Sequence, residues 1–445
     1  MSSPESPASA GPIAGSETLA DPQAASVGGW SKSSIYALAI LTLISTLNYF
    51  DRNAMAMVLP AIKKEMGLSD TVLGSINGLI VVYAVVGIPV AWLADRWSRR
   101  NVVAIGLAFW SAMTFVTGFS ANVWQLAVTR LLMAAGESCG GAPSNAMLSD
   151  IFSKGRLPVA VAIFTCASSI SSLVMTPIAG WIADHYGWRM VFFAAGAPGV
   201  LLALVFLFTV KEPVRGASTG QEAAAQKTSA EGGLKFLLGS KSFVLLVIGS
   251  AFMGTYLYGI GAWVPTFLVR VHHMNLTSVG IYFGAIRGLV GMFGILLGGV
   301  LAIWLSKRDE RWRAWTPGLA CLVLAPCVAL FVLSDETWMW VAGLTASSFF
   351  GIMHQPPVYA GLMAVAKPRM RALAVSINLL GATVIGQLVG SILIGALNDL
   401  LAAEFGQTAI RYSMLVIVAS SAAGGLCFMA AGKFIARDME RAGVV

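Results

Sequence analysis

Residues 71–94 pass without a charged side chain, and eight further stretches of the same kind follow: 101–121, 157–183, 190–210, 242–269, 314–334, 337–366, 372–398 and 412–432. About 20 apolar residues in a helix cover the ~30 Å hydrocarbon core of a bilayer, where the backbone must satisfy its own hydrogen bonds. Each stretch therefore reads as a membrane-crossing helix. Three more crossings carry isolated charges, at 33–60 (Asp51, Arg52), 124–149 (Arg130, Glu137) and 278–305 (Arg287). The expectation is an all-α membrane protein with twelve transmembrane helices, called spans 1–12 below. Composition agrees: 57% of the 445 residues are hydrophobic and 11% charged, whereas a soluble domain carries about a quarter charged residues.

The net charge of +8 could suggest a nucleic-acid partner, but the basic residues follow topology instead. With both termini placed in the cytoplasm, 21 Lys/Arg fall on that side. Five fall outside (Lys63, Lys64, Arg189, Arg270, Arg411), and the remaining three lie within spans. The positive-inside rule then fixes the orientation. Residues 1–32, rich in Ser, Ala, Pro and Gly, lack a charged leader and an apolar core; they read as a disordered cytoplasmic tail and not as a signal peptide. Cys139, Cys166, Cys321, Cys327 and Cys427 all fall in spans without metal-ligand spacing, so they read as small packing residues. No metal and no cofactor are expected.

Residues 211–241 form the single long polar connection, which divides the chain into six-span bundles at 33–210 and 242–436 with a short tail at 437–445. Weak echoes link the halves. Gly180 and Asp184 close span 5 with the same four-residue offset as Gly395 and Asp399 closing span 11. A duplicated carrier of this kind holds its cavity between the halves at the bilayer midplane.

Asp51 and Arg52 lie roughly 25 Å into the first span, still inside the bilayer, where each uncompensated charge costs about 2.5–3.5 kcal/mol. Glu137 sits near the middle of span 4. Arg130 precedes it by seven residues, two helical turns, so the two share a face about 10 Å apart. A membrane carboxylate is held neutral by desolvation and ionised by a nearby arginine, which makes its proton occupancy responsive to the cavity's contents. A static Arg–carboxylate bridge between spans 1 and 4 is the structural alternative, although such bridges stabilise poorly against apolar packing. Arg287 stands about 14 Å into span 8, suited to a second phosphate or carboxylate clamp, or else to capping carbonyls or pairing with Glu137. His354 precedes Pro356 and Pro357 and is read as a packed histidine or a titrating relay. Tyr49, Tyr83, Tyr256, Tyr258 and Trp263 could line an amphipathic cavity or simply pack. Asp95, Arg99, Arg100 and Asp150 suggest a cytoplasmic gate network, against the alternative of solvated helix-end charges.

Residues 91–100, with Asp95-Arg96 leading into a basic run, resemble the major facilitator signature between spans 2 and 3; Ala91 and Ser98 stand where glycine is usual. LNYFDR (47–52), TRLLMAAGES (129–138), SDIF (149–152), HYGWR (185–189), KEPVRG (211–216) and PPVYAGL (356–362) narrow the likeness to the bacterial Spinster-like branch of that superfamily, related to the anion:cation symporters. In the second half Ile303 occupies the place of the signature acid. The resemblance implies a major facilitator fold, protonation at Asp51 and Glu137, and an anionic headgroup at Arg52 and Arg130.

No Gly-rich phosphate loop, paired metal-ligand set or soluble domain is visible, which argues against an ATP-driven pump, a membrane metalloenzyme and a sensor with an output module. The expectation is a non-enzymatic, proton-coupled secondary carrier in a bacterial inner membrane, working as a monomer among membrane lipids. Its substrate would be an anionic amphiphile resembling a lysolipid or sphingoid phosphate, held by Arg52, Arg130 and Arg287 with Tyr49, Tyr256 and His354. A small organic anion is the alternative, and a non-transporting receptor a third reading.

Overall fold

The computed structural model describes residues 30–79, 81–153, 155–213 and 230–443. The described residues are helical almost throughout and contain no strand. Span 1, Lys32–Met66, opens on a reciprocal cap between Ser31 and Ser34 and closes at Gly67, whose left-handed backbone (φ 64°) returns an N–H to the Lys63 carbonyl at 2.9 Å. At 35 residues it outruns the expected 33–60, because the chain leaves the apolar layer still helical, with Lys63 and Lys64 complementing the helix dipole in its last turn.

Among the described residues, nine helical runs are long and apolar enough to cross a membrane. One of them, Pro368–Ala431, is 64 residues long and doubles back at Gly406 (φ 56°), so it supplies two crossings. Val123–Ile151, at 29 residues, is long enough to cross but diluted by its charges and small residues, and Thr337–Met353 continues after a break at His354 into Gln355–Ala364. With these the twelve crossings are complete.

Four of the irregular helices face the other bundle. Span 2 breaks between Asp70–Gly78 and Val81–Arg96, while spans 5, 8 and 11 each contain a widened π turn, at Ser171–Met175, Ile286–Val290 and Gly386–Leu393. These four cross between the bundles: span 2 packs on span 11, and span 5 on span 8. Four departures from the regular helix thus lie at the interface between the bundles, a usual place for a moving or ligand-facing element.

The core also divides unevenly. Met55, Leu59 and Ile76 of the first bundle share one continuous apolar cluster with Trp263, Phe267 and Phe283 of the second. Leu41, Trp110 and Phe206, toward the opposite end of the first bundle, form a separate cluster. Among the described residues, this continuous core joins the bundles at the end where spans 1 and 2 meet.

Candidate substrate and proton site

One helical step turns Arg52 about 100° from Asp51 around span 1. The two side chains consequently meet span 4 at different levels. Arg52 Nε donates to Glu137 Oε2 at 2.9 Å, with a quarter of the Arg52 side chain exposed and Glu137 fully buried. The Arg52 guanidinium also lies over the Tyr83 ring, 4.5 Å from its centroid. Arg130 turns to the other residue of the pair and donates from Nη2 to the Asp51 carbonyl oxygen at 3.2 Å. Arg130 and Glu137, expected as neighbours on one helix face, are each engaged by span 1 instead. Asp51 Oδ1, Glu137 Oε1 and Arg130 Nη1 are buried without a hydrogen-bond partner among the described residues. Such groups are costly to leave unmet, so this four-residue cluster has capacity for protons or a ligand.

Tyrosines surround the exposed side of Arg52. Tyr49 is 38% exposed, and Tyr258 reaches in from span 7 with its hydroxyl donating to Thr383 of span 11 at 3.2 Å. Across the interface, Arg287 sits in the π turn of span 8 beside a small cavity lined by Tyr256, Leu257, Ile260, Ser348 and Ile352. It lies 5.5 Å from the Phe283 ring centroid and has neither an acidic partner nor a hydrogen bond among the described residues. Pairing with Glu137, one of the sequence alternatives, does not occur in this conformation. Tyr256 is buried and donates to the Ser347 carbonyl at 2.7 Å. His354 stands apart: its Nδ1–H donates to the Gly351 carbonyl at 2.8 Å and its ring stacks on Phe428. Trp263 belongs to the fused end, donating to the Ser391 carbonyl at 3.2 Å.

The residues expected at the gate lie within the first bundle. Arg99 pairs with Asp150, and Arg100 contributes its backbone N–H to Glu212 at 2.8 Å. The Asp95 side chain lies outside the described residues. Glu212 went unrecognised in the sequence; it accepts from Ser98 Oγ at 2.7 Å and from the Arg99 N–H at 2.9 Å as well, capping the start of span 3. Its signal was the KEPVRG string, which marked the family and gave no hint of a cap.

The fused end carries two matching clamps. Asp399 of span 11 accepts from the Asp70 N–H at 2.9 Å, the Thr71 N–H at 2.7 Å and Thr71 Oγ1 at 2.6 Å. Asp184 of span 5 accepts from the Leu276 N–H at 3.1 Å, the Thr277 N–H at 2.7 Å and Thr277 Oγ1 at 2.6 Å. One turn earlier in each helix a glycine permits the approach, since a Cβ on Gly395 or Gly180 would strike the Asp70 or Leu276 carbonyl. Asp70 itself receives both Arg270 guanidinium nitrogens at 2.5 and 2.6 Å and Lys63 Nζ at 2.7 Å. The Gly-x3-Asp echo in the sequence is thus a pair of symmetry-related contacts between the bundles.

Twelve helices in two such bundles, with broken helices at their interface, describe a known transporter architecture, and a sequence model of the Major Facilitator Superfamily matches residues 41–382. The chain belongs to the Major Facilitator Superfamily. An MFS-type efflux pump of Mycolicibacterium smegmatis is 34% identical over 406 residues, covering 91% of this chain and 94% of its own. The sphingosine-1-phosphate transporter SPNS2 of Danio rerio is 26% identical, covering 92% and 86%. A solved bacterial homologue of the human lysosomal transporter Spinster, inward-facing and unoccupied, superposes with a TM-score of 0.80 at 25% identity, covering 92% of this chain and 99% of that one. The Spinster-like resemblance read from the sequence motifs is borne out, and the protein is a multi-pass membrane transporter of the major facilitator fold.

Proposed function

We propose that this transporter couples proton movement to the passage of an anionic amphiphile of the lysolipid or sphingoid-phosphate type by alternating access between bundles 33–210 and 242–436. Asp51 and Glu137 carry the protons. Arg52, Arg130 and Arg287 engage the substrate's negative charge, with Tyr49 and Tyr256 along its path, and His354 supports the second bundle from behind. The observation that supports the reading is the Arg52–Glu137 bridge, with a quarter of the Arg52 side chain exposed, next to Asp51 Oδ1, which has no hydrogen-bond partner among the described residues. A bridge built only to stabilise would not leave three polar atoms unmet beside it. The exposed aromatic surface around Arg52 and the apolar side chains beside Arg287 favour an amphiphile over a fully polar ligand.

Applying the positive-inside rule, both termini and the open end face the cytoplasm of a bacterial inner membrane, and the Asp184 and Asp399 clamps form the outer seal of an inward-facing monomer. Asp95, Arg99, Arg100 and Asp150 would close the cytoplasmic side when the seal opens. The test is substrate-driven proton flux into proteoliposomes, read with a pH-sensitive dye. Asp51→Asn should abolish flux while Lys32→Gln leaves it unchanged; flux at the wild-type rate in Asp51→Asn would refute the proton assignment.

A further inference from the structure

The charges buried in the spans do not balance. Asp51, Arg52, Arg130 and Glu137 sum to zero when both acids are ionised, and one ion pair already links them. Arg287 is the fifth charged residue in the spans and has no acidic partner among the described residues. It is also in the other bundle, set in a π turn with its guanidinium beside Gly261. An arginine at this depth without a counter-ion is expensive, and the most economical way to neutralise it is for the ligand to bring the charge.

We propose that Arg287 is the fixed anchor for one negative charge of the substrate, and that Arg52 becomes a second anchor only when Glu137 is protonated. The inference rests on the proton-coupled reading above. Protonating Glu137 removes the charge that holds Arg52 Nε and leaves a partly exposed guanidinium free to take a ligand, a donor set whose planar fork suits phosphate or carboxylate oxygens. A monoanion then binds without a proton, and a dianion, such as a phosphate monoester, binds with one. The proton and the second negative charge arrive together because each is unfavourable alone. Asp51 and Tyr49 from span 1, Tyr83 from span 2, Arg130 from span 4 and Tyr258 from span 7 are the other titratable groups around Arg52 and Glu137. Around Arg287, span 7 contributes Tyr256, span 10 Ser348, and span 5 Ser169 and Leu173 near Gly288, so among the described residues the anchor has no acidic competitor.

Two lysolipids with the same acyl chain separate the cases: lysophosphatidylglycerol carries one negative charge and lysophosphatidic acid carries two at pH 8. Calorimetric titration of the full-length protein in nanodiscs, repeated in buffers of different ionisation enthalpy, reads affinity and proton uptake together. Wild type should take up about one more proton with lysophosphatidic acid than with lysophosphatidylglycerol. Arg287→Gln should weaken both at least about 30-fold, ~2 kcal/mol at 1.4 kcal/mol per decade, and Arg287→Lys should recover most of that loss. Glu137→Gln should erase the extra proton while keeping both lipids bound. Equal proton uptake for the two lipids, or less than threefold loss in an Arg287→Gln protein that unfolds at the wild-type temperature, would overturn the inference. If wild type binds neither lipid but binds the dicarboxylate glucarate with the same dependence on Arg287 and proton uptake, the amphiphile reading fails and the charge assignment stands.

Discussion

Removing the Asp399 carboxylate should open both clamps, although only one is touched. The carboxylate caps the first turn of span 2 through two backbone N–H groups and one hydroxyl, at 2.6–2.9 Å. Loss of a side-chain cap costs about 0.5–2 kcal/mol, and charge-assisted bonds lie toward the upper end, so for three contacts at a partly exposed site we expect ~1.5–2 kcal/mol. If the two bundles separate as rigid bodies, the whole of that energy comes off the closed state, which corresponds to a roughly 10- to 30-fold rise in the open population. Hydrogen exchange read by mass spectrometry can tell concerted opening from local fraying, because the mirror clamp is a separate sensor. In Asp399→Ala the amides of Leu276 and Thr277, held by Asp184 and outside any contact with Asp399, should exchange about 10 to 30 times faster. Faster exchange confined to residues 70–73, with 276–278 unchanged, would refute the rigid-body reasoning and reduce the clamp to a local cap.

Three further outcomes follow from the same geometry. Gly180→Val places a branched side chain against the Leu276 carbonyl, so the protein should fold and elute normally on size exclusion yet lose transport by at least about tenfold, because the sealed state is sterically blocked. Glu212→Ala removes three hydrogen bonds at the start of span 3 and should lower stability by about 1–2 kcal/mol, seen in thermal unfolding, with substrate affinity unchanged. Arg52→Lys keeps the charge but gives up the planar fork over Tyr83, and should weaken binding of a dianionic lysolipid by about tenfold more than that of a monoanionic one.

Much of the molecule was legible without coordinates, because a bilayer imposes a one-dimensional rule. A charge-free run of twenty residues has few folds open to it, and a charge that survives inside one must be met by something. That rule alone located the twelve crossings and singled out Asp51, Arg52, Arg130, Glu137 and Arg287, and the repeated Gly-x3-Asp marked the bundles as related. Partner choice was beyond it. Arg130 and Glu137 share a helix face, yet each is engaged by span 1, because the interhelical distance and the rotation of span 1 about its axis decide which groups come within hydrogen-bond reach. Asp399 and Thr71 are 328 positions apart and meet only because two helix ends abut. The sequence by itself determined that this chain crosses the membrane as helices and which of its charges must be compensated there, since burial in hydrocarbon acts on each residue wherever it stands. Only the tertiary structure decided which charges neutralise one another, which glycines let the bundles touch, and that Arg287 meets no acid among the described residues. Those outcomes depend on distances of a few ångströms between spans, and no pattern along a single helix encodes them.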